Sequence, residues 1–225
     1  MKEWYSFHLG SRFVNSPEFK ESDLLKIIYP DCFVVIGDFC SFTAFLKNTN
    51  DLSIIEPLMT SFYSRMRKAI HERGGMLDKI IGDAVVAIWG IGHTKHTSLI
   101  NVVDTCRELA KISLSISEEW QSHLKFLVEP KGIRIGLTRG DVIVIRRDEA
   151  YPGLSILGNP LNLAARLQSA AEPNQIVFCE RVFEEIMLEK KDASLGFEFG
   201  EKFMLDAKNY GEVPAWRMKI TDKNI

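Results

Sequence analysis

What this sequence lacks narrows its role first. Four cysteines occur in 225 residues, Cys32, Cys40, Cys106 and Cys179. They are far apart, form no CxxC pair and mostly sit in apolar runs, as reduced core residues do and a disulfide framework does not. No apolar run approaches the ~20 residues needed to cross a bilayer. The opening MKEWYSFHLGSRF has no apolar signal-peptide core, so the expectation is a soluble, cytoplasmic protein without a membrane span. Charge of one sign is also missing: 28 Lys and Arg stand against 30 Asp and Glu, a net −2. No global field draws the chain onto nucleic acid or acidic lipid, and a polyanionic ligand needs a local site. Internal repeats, low-complexity tracts, and the Walker A and GxSxG motifs are absent as well.

What is present reads as a globular protein with 46% hydrophobic residues and a sizeable core. Residues 1–30 are weakly patterned, with Pro17 and Pro30 as breaks, and form an N-terminal appendage of unclear role; residues 31–225 form the main domain. Phe33-Val34-Val35-Ile36 signals a buried strand that ends at Gly37-Asp38. Ile54, Ile55, Leu58, Met59, Phe62, Met66 and Ile70 recur at helical spacing. That helix has Asn50 or Asp51 as its N-cap and stops at Gly74-Gly75. Met76–Ile81 and Ala84–Trp89 flank Gly82-Asp83 as a hairpin.

A long helix over about 97–127 follows. Ile133–Leu137 and Val142–Ile145 then read as a second hairpin around Arg139-Gly140-Asp141. Leu161–Ala170 is a short helix opened by Pro160, Ile176–Cys179 a strand, and Val182–Leu188 a helix. Phe197–Lys219 supplies two more strands. Strands mixed with crossover helices predict an α/β sandwich with a ferredoxin-like βαββαβ core, an added hairpin and C-terminal strands. Trp89 and Trp216 belong to its core.

Two carboxylates sit where they do the fold no good. Asp38 ends an apolar strand and Asp83 tips a tight hairpin. In a βαββαβ sheet these ends converge, and two carboxylates aimed at one spot repel unless a cation lies between them. Divalent magnesium fits such a place, because it takes a few carboxylates together with phosphate oxygens. Taken singly, each aspartate reads as a helix cap or a turn residue.

The flanking residues add a resemblance. Gly37-Asp38-Phe39-Cys40-Ser41-Phe42-Thr43 resembles the first metal motif of the class III nucleotidyl cyclases. Asp78-Lys79-Ile80-Ile81-Gly82-Asp83-Ala84-Val85-Val86-Ala87-Ile88-Trp89-Gly90 is similar to the second. Gly158-Asn159-Pro160-Leu161-Asn162-Leu163-Ala164-Ala165-Arg166-Leu167 resembles the family's transition-state segment. Phe197–Met218, with Gly211-Glu212-Val213-Pro214-Ala215-Trp216, is similar to its closing strands. The size is that of the stand-alone bacterial type.

The resemblance implies a nucleoside triphosphate cyclised to its 3′,5′-monophosphate, with pyrophosphate released. It implies two divalent cations, magnesium or manganese, on Asp38 and Asp83, with the Phe39 carbonyl contributing. Free amides of Cys40, Ser41, Phe42 and Thr43 would cradle the triphosphate at a helix start. Asn162 would orient the ribose and Arg166 would stabilise charge as the 3′-oxygen attacks; four apart, they share a helix face. In the family these two residues face the aspartates of a second subunit, so a head-to-tail homodimer with shared sites is implied. Lys208 is the candidate for the terminal phosphate.

Lys79 and Ser155 match the positions that read the base. Lysine can donate to adenine N1 and argues against guanine, so ATP is favoured. Cytosine N3 and uracil O4 are acceptors too, which keeps open a pyrimidine cyclase of bacterial antiphage signalling. An inactive nucleotide-binding regulatory domain, or a palm-like polymerase or cyclic-dinucleotide synthase, would share part of this pattern. The first should lack one of Asp38, Asp83, Asn162 and Arg166, and the second should lack the Asn162/Arg166 segment. His93 and His96 have no further zinc ligands nearby. Arg146-Arg147-Asp148-Glu149 reads as a solubilising hairpin tip.

Overall fold

From Cys32 onward the strand that carries Asp38 is buried on both faces, which makes it a central strand. The computed structural model describes residues 2–17, 19–24, 26–91, 98–146, 154–189, 200–207 and 210–220. Along them run α1 (Lys2–Leu9), α2 (Ser11–Val14), β1 (Ile28–Phe39), α3 (Phe42–Asn48), α4 (Ile55–Glu72), β2 (Met76–Ile81), β3 (Ala84–Trp89) and α5 (Leu99–Gln121). Then come β4 (Ile133–Arg146), β5 (Leu154–Leu157), α6 (Asn159–Ser169), β6 (Gln175–Cys179), α7 (Glu180–Glu189), β7 (Phe203–Ala207) and β8 (Gly211–Lys219).

The strands form one sheet in the order β2-β3-β1-β4-β6-β8-β7, with β5 paired to β4. Its β2-β3-β1-β4 part, with α4 and α5 as crossovers, is the expected ferredoxin-like core. β5 is the added hairpin strand, and β7 and β8 are the C-terminal pair. One sheet face, with Phe33, Val35, Phe39, Ala87, Ile135 and Leu137, packs under α4 and α5. The other face, with Val34, Met76, Ile88 and Val142, packs against Tyr5 and Leu9 of α1 and Ala164 of α6. Each such side chain, fully buried, contributes about 1.5–3 kcal/mol before chain entropy is counted.

Local chemistry accounts for the helices. In α4 the buried set Leu58, Met59, Phe62, Met66, Ala69 and Ile70 follows the three-four spacing. The helix ends where Gly74 takes φ 74°, and a Cβ on Gly75 would stand 2.5 Å from the Trp89 ring. Asp51 does cap, but for a 3-10 turn at Leu52–Ile54 that precedes α4; it accepts from the Ser53 amide at 3.0 Å. Ser98 caps α5 by accepting from the Ile100 amide at 3.1 Å. Trp89 and Trp216 are both buried, and all four cysteines are buried thiols.

The expected second hairpin around Arg139-Gly140-Asp141 is not formed. Residues 133–146 run as one strand, β4, whose hairpin partner is β5. The glycines answer a different need, the close approach of α6. A Cβ on Gly136 would stand 2.0 Å from the Ala164 carbonyl oxygen, and one on Gly140 would stand 2.8 Å from Pro160 Cγ. Thr138 Oγ1 donates to the Pro160 carbonyl at 3.0 Å and locks the start of α6 onto the strand. Phe197, Lys208, His93, His96 and Arg147-Asp148-Glu149 lie outside the described residues.

Candidate active site

β1 ends beside the β2–β3 turn because Asp38 pairs with Ala84 across the sheet. The Phe39 amide donates to the Asp83 carbonyl at 3.3 Å, so the two aspartates are joined through the backbone. Gly82 takes φ 61° in the turn, a conformation suited to glycine. Tyr63 of α4 steadies the turn by donating its hydroxyl to the Gly82 carbonyl at 2.8 Å. The Phe39 ring packs edge-on against Phe42, Phe45 and Phe62, at 6.3, 6.0 and 5.4 Å between centroids. That aromatic cluster fixes the backbone from which Asp38 projects.

On its other side Asp38 is the cross-strand partner of Arg134 on β4, whose guanidinium donates to the Asp38 carboxylate. Burial raises the Asp83 carboxyl above the ordinary range; its own backbone amide opposes this, Asp38 adds to it and Arg134 offsets part of it. Burial likewise pushes the Cys40 thiol up to about 11, with Arg134 lowering it and Asp38 and Asp83 raising it. Four groups therefore share one field: Asp38, Asp83, Arg134 and Cys40. The thiol is protonated near neutrality and is no nucleophile.

Arg134 and Tyr63 lie outside the motifs that the sequence singles out. A lone arginine opening the apolar run Ile133-Arg134-Ile135-Gly136 was the available signal for the first. Tyr63 lies on a helix whose register with the turn only the fold supplies.

Beyond Phe39 the chain turns through Ser41 at φ 59° into α3. The Cys40 amide is not free for a phosphate, because the β1–β4 ladder reaches one residue further and that amide donates to the Gly132 carbonyl at 2.9 Å. The amides opening α3, at Phe42 and Thr43, have no acceptor within the helix by its geometry, and Ser41 precedes them.

The second group of sequence candidates lies on β2, β5 and α6. Lys79 lies on β2, with its Nζ 3.0 Å from Asp78 Oδ2. Ser155 lies on β5 opposite Ile145. Asn162 and Arg166 are exposed on α6, and among the described residues their side chains make no hydrogen bond or ion pair. Asp38 and Arg134 are among the charges that act on Asp83. One chain thus assembles the aspartate pair and, on another element, presents an exposed amide and guanidinium that make no side-chain hydrogen bond or ion pair among the described residues.

Among the described residues no three His, Cys, Asp or Glu side chains gather around a metal position. Two carboxylates and a backbone carbonyl are instead the sparse donor set magnesium accepts when phosphates and water complete its shell. The residues present fit such an ion.

Residues 27–216 match the family model described as the adenylate and guanylate cyclase catalytic domain. The chain belongs to that family. Among curated relatives, the receptor-type guanylate cyclase gcy-23 of Caenorhabditis elegans is 25% identical over 163 residues, covering 69% of this chain and 15% of that protein. An uncharacterised protein of Mycobacterium tuberculosis, Rv2212, is 29% identical over 146 residues, covering 65% of this chain and 32% of that one. The chain thus spans a third or less of these relatives' length. Among solved structures, the adenylyl cyclase CyaB from P. aeruginosa superposes with a TM-score of 0.73 at 20% identity, covering 87% of this chain and 97% of that one. That likeness establishes the cyclase catalytic-domain fold. Among the described residues no helix is long and apolar enough to cross a membrane.

Proposed function

We propose that this chain cyclises a nucleoside triphosphate, ATP by preference, to its 3′,5′-cyclic monophosphate with release of pyrophosphate. The observation that carries the reading is the Asp38/Asp83 pair, joined by the Phe39 amide and the Asp83 carbonyl. Asp38 and Asp83, with the Phe39 carbonyl, would hold divalent cations. Two such ions, when bound, supply charge stabilisation at the attacking and leaving oxygens of an in-line displacement.

The protein's own residues do the rest. Arg134, on Asp38, is a cation beside the place where phosphate oxygens would lie, and it can exchange its carboxylate for them. The amides of Ser41, Phe42 and Thr43, at the turn into α3, would supply N–H donors to the phosphates. Asn162 holds the ribose, and Arg166 meets the charge that grows on the phosphate oxygens as the 3′-oxygen attacks; one such donor typically contributes ~10²–10³ in rate. Asn162 and Arg166 are exposed and make no side-chain hydrogen bond or ion pair among the described residues, and in this reading α6 of a second copy completes the site in a head-to-tail homodimer. Lys79 donates to an acceptor on the base, adenine N1 in the favoured substrate, with Ser155 as its companion and Lys208 on the terminal phosphate.

The test is to incubate the purified chain separately with ATP, GTP, CTP and UTP, with magnesium or manganese, and identify products by mass. Cyclic AMP and pyrophosphate are expected, and Asp38→Ala or Asp83→Ala should abolish both. A cyclic pyrimidine nucleotide would replace ATP while keeping the reaction. No cyclic product from any of the four would overturn the reading.

A further inference from the structure

β2 carries an extra residue. Leu77 pairs with Ala87 and Lys79 with Val86, so Asp78 has no cross-strand partner and forms a bulge. Bulges re-aim side chains, often beside functional sites. Here the bulge lets two consecutive side chains meet: the Asp78 carboxylate, whose side chain is only 4% exposed, lies 3.0 Å from the Lys79 ammonium, which is 43% exposed. Burying a carboxylate is costly unless something compensates for it, and the Lys79 ammonium is a cation at ion-pair distance.

Behind the pair lies the N-terminal helix. His8 of α1 donates its Nδ1–H to the Leu77 carbonyl and feels the charge of Asp78. His71 of α4 donates its Nε2–H to the His8 carbonyl at 2.9 Å. Tyr5 and Leu9 of α1 pack with Met76 and Ile88 in the same apolar cluster. The bulge is thus backed by an element that lies outside the βαββαβ core.

We propose that Asp78 is a positioning residue that fixes the Lys79 ammonium for reading the base, and that α1, through His8, holds the bulge that makes this possible. The inference rests on Lys79 facing the base in the proposed cyclase site. A lysine ammonium is a point charge on a flexible four-carbon stem with three donors. Pairing the ammonium with a fixed carboxylate tethers the stem and removes rotamer freedom before the nucleotide arrives. Pre-organisation of this kind raises affinity for the base without touching the phosphates. It also gives the N-terminal segment a task in substrate selection.

The experiment separates base from phosphate. Titration calorimetry compares 3′-deoxy-ATP, which has adenine and triphosphate but no attacking hydroxyl, with inorganic tripolyphosphate, both with magnesium. The readout is the ratio of the two affinities. Asp78→Asn should lower that ratio about tenfold, the size of one re-mobilised lysine side chain, with tripolyphosphate binding itself little changed. Lys79→Ala should lower it at least as far, and adding Asp78→Asn to Lys79→Ala should lower it no further. His8→Ala should give a partial fall.

A merely structural Asp78 would shift the melting temperature and weaken both ligands together, leaving the ratio intact; that result overturns the proposal. An additive double variant overturns it as well, and an unchanged ratio in His8→Ala overturns the share assigned to α1. If Asp78→Asn does not fold, Asp78→Glu, which displaces the charge by one methylene, is read by the same ratio and the same criteria. Wild-type protein that holds 3′-deoxy-ATP no better than tripolyphosphate would refute the nucleotide site itself, a different outcome from the failure of Asp78.

Discussion

Arg134 on β4 donates directly into the carboxylate of Asp38, its cross-strand partner on β1, whereas Asp83 meets the same guanidinium only through its field. The two aspartates therefore differ in what they contribute to stability without metal. Burial and Asp38 make the charged form of Asp83 unfavourable, so Asp83→Asn should raise the melting temperature by about 2 °C, the equivalent of ~1 kcal/mol or less for a half-exposed group. Asp38→Asn removes the partner of Arg134 and should give no such gain. Both should be inactive. Thermal unfolding without added metal checks the order, and an Asp38→Asn protein more stable than Asp83→Asn would refute the assignment of partners.

Arg134 also makes a prediction about substrate. If its guanidinium passes from Asp38 to phosphate oxygens, Arg134→Ala should weaken tripolyphosphate and ATP alike, by ~10-fold or more. Arg134→Lys, which keeps the charge but loses the planar fork, should recover only part. Competition binding with magnesium reads both. Loss of ATP binding with tripolyphosphate retained would place Arg134 away from the phosphates.

Much of this was legible in the sequence, and the failures have physical causes. The β2–β3 hairpin was readable because Gly82-Asp83 between apolar runs has one economical conformation. The Arg139-Gly140-Asp141 segment carries a similar signal, yet it is extended, because glycine serves both turns and close packing and only the presence of α6 tells which. Arg134 and Asp38 lie 96 residues apart, and a register between β1 and β4 is needed before they can be seen as partners. From sequence the Cys40 amide reads as free, because the reach of the β1–β4 ladder to Gly132 is defined only once strand ends are fixed. The Asp78 bulge was hidden likewise, since an extra residue is defined only against the opposite strand.

Gly136 tests the placement of α6. A Cβ there would stand 2.0 Å from the Ala164 carbonyl oxygen and 2.5 Å from the Gln168 amide nitrogen, both backbone atoms that cannot yield by a rotamer change. Gly136→Ala should displace α6, with a cost of at least 1–3 kcal/mol. Since α6 carries Asn162 and Arg166 while Asp38 and Asp83 lie on other elements, activity should fall by at least ~10²-fold in protein that still binds manganese. Metal binding by electron paramagnetic resonance, beside the cyclase assay, checks the separation. Full activity would show that α6 tolerates the shift.

The docking of α1 should depend on pH. Burial lowers His8, with the Leu77 carbonyl and Asp78 opposing; burial lowers His71, with the His8 carbonyl opposing and Arg67 and His8 adding to the fall. The unfolded chain therefore takes up these protons first. The stability these contacts contribute is complete above the unfolded value of about 6.5 and is lost as pH falls from there through the lower folded values. Amide exchange in residues 2–9, corrected for intrinsic rate, should be faster at pH 5.5 than at pH 7.5, while α5 is unchanged. His71→Gln, which keeps a donor but cannot charge, should flatten the dependence; equal protection of α1 at both values would refute it.

Complementation decides whether the two halves meet across subunits. Asp83→Ala and Arg166→Ala should each be inactive alone, because every site in either homodimer lacks one essential group. Mixed and allowed to exchange, they form heterodimers in which one site carries both lesions and the other carries none. Random exchange makes half the dimers mixed, each with one intact site of two, so activity should return to about a quarter of wild type. Asp83→Ala mixed with Asp38→Ala gives the control, since both lesions fall in the same half and each site of the heterodimer retains one defect. Recovery in the first mixture and none in the second requires that Asp83 and Arg166 act on one substrate from different chains. No recovery in either, with subunit exchange verified by mass, would place both groups of a working site in one chain and leave the exposed face of α6 without its proposed role.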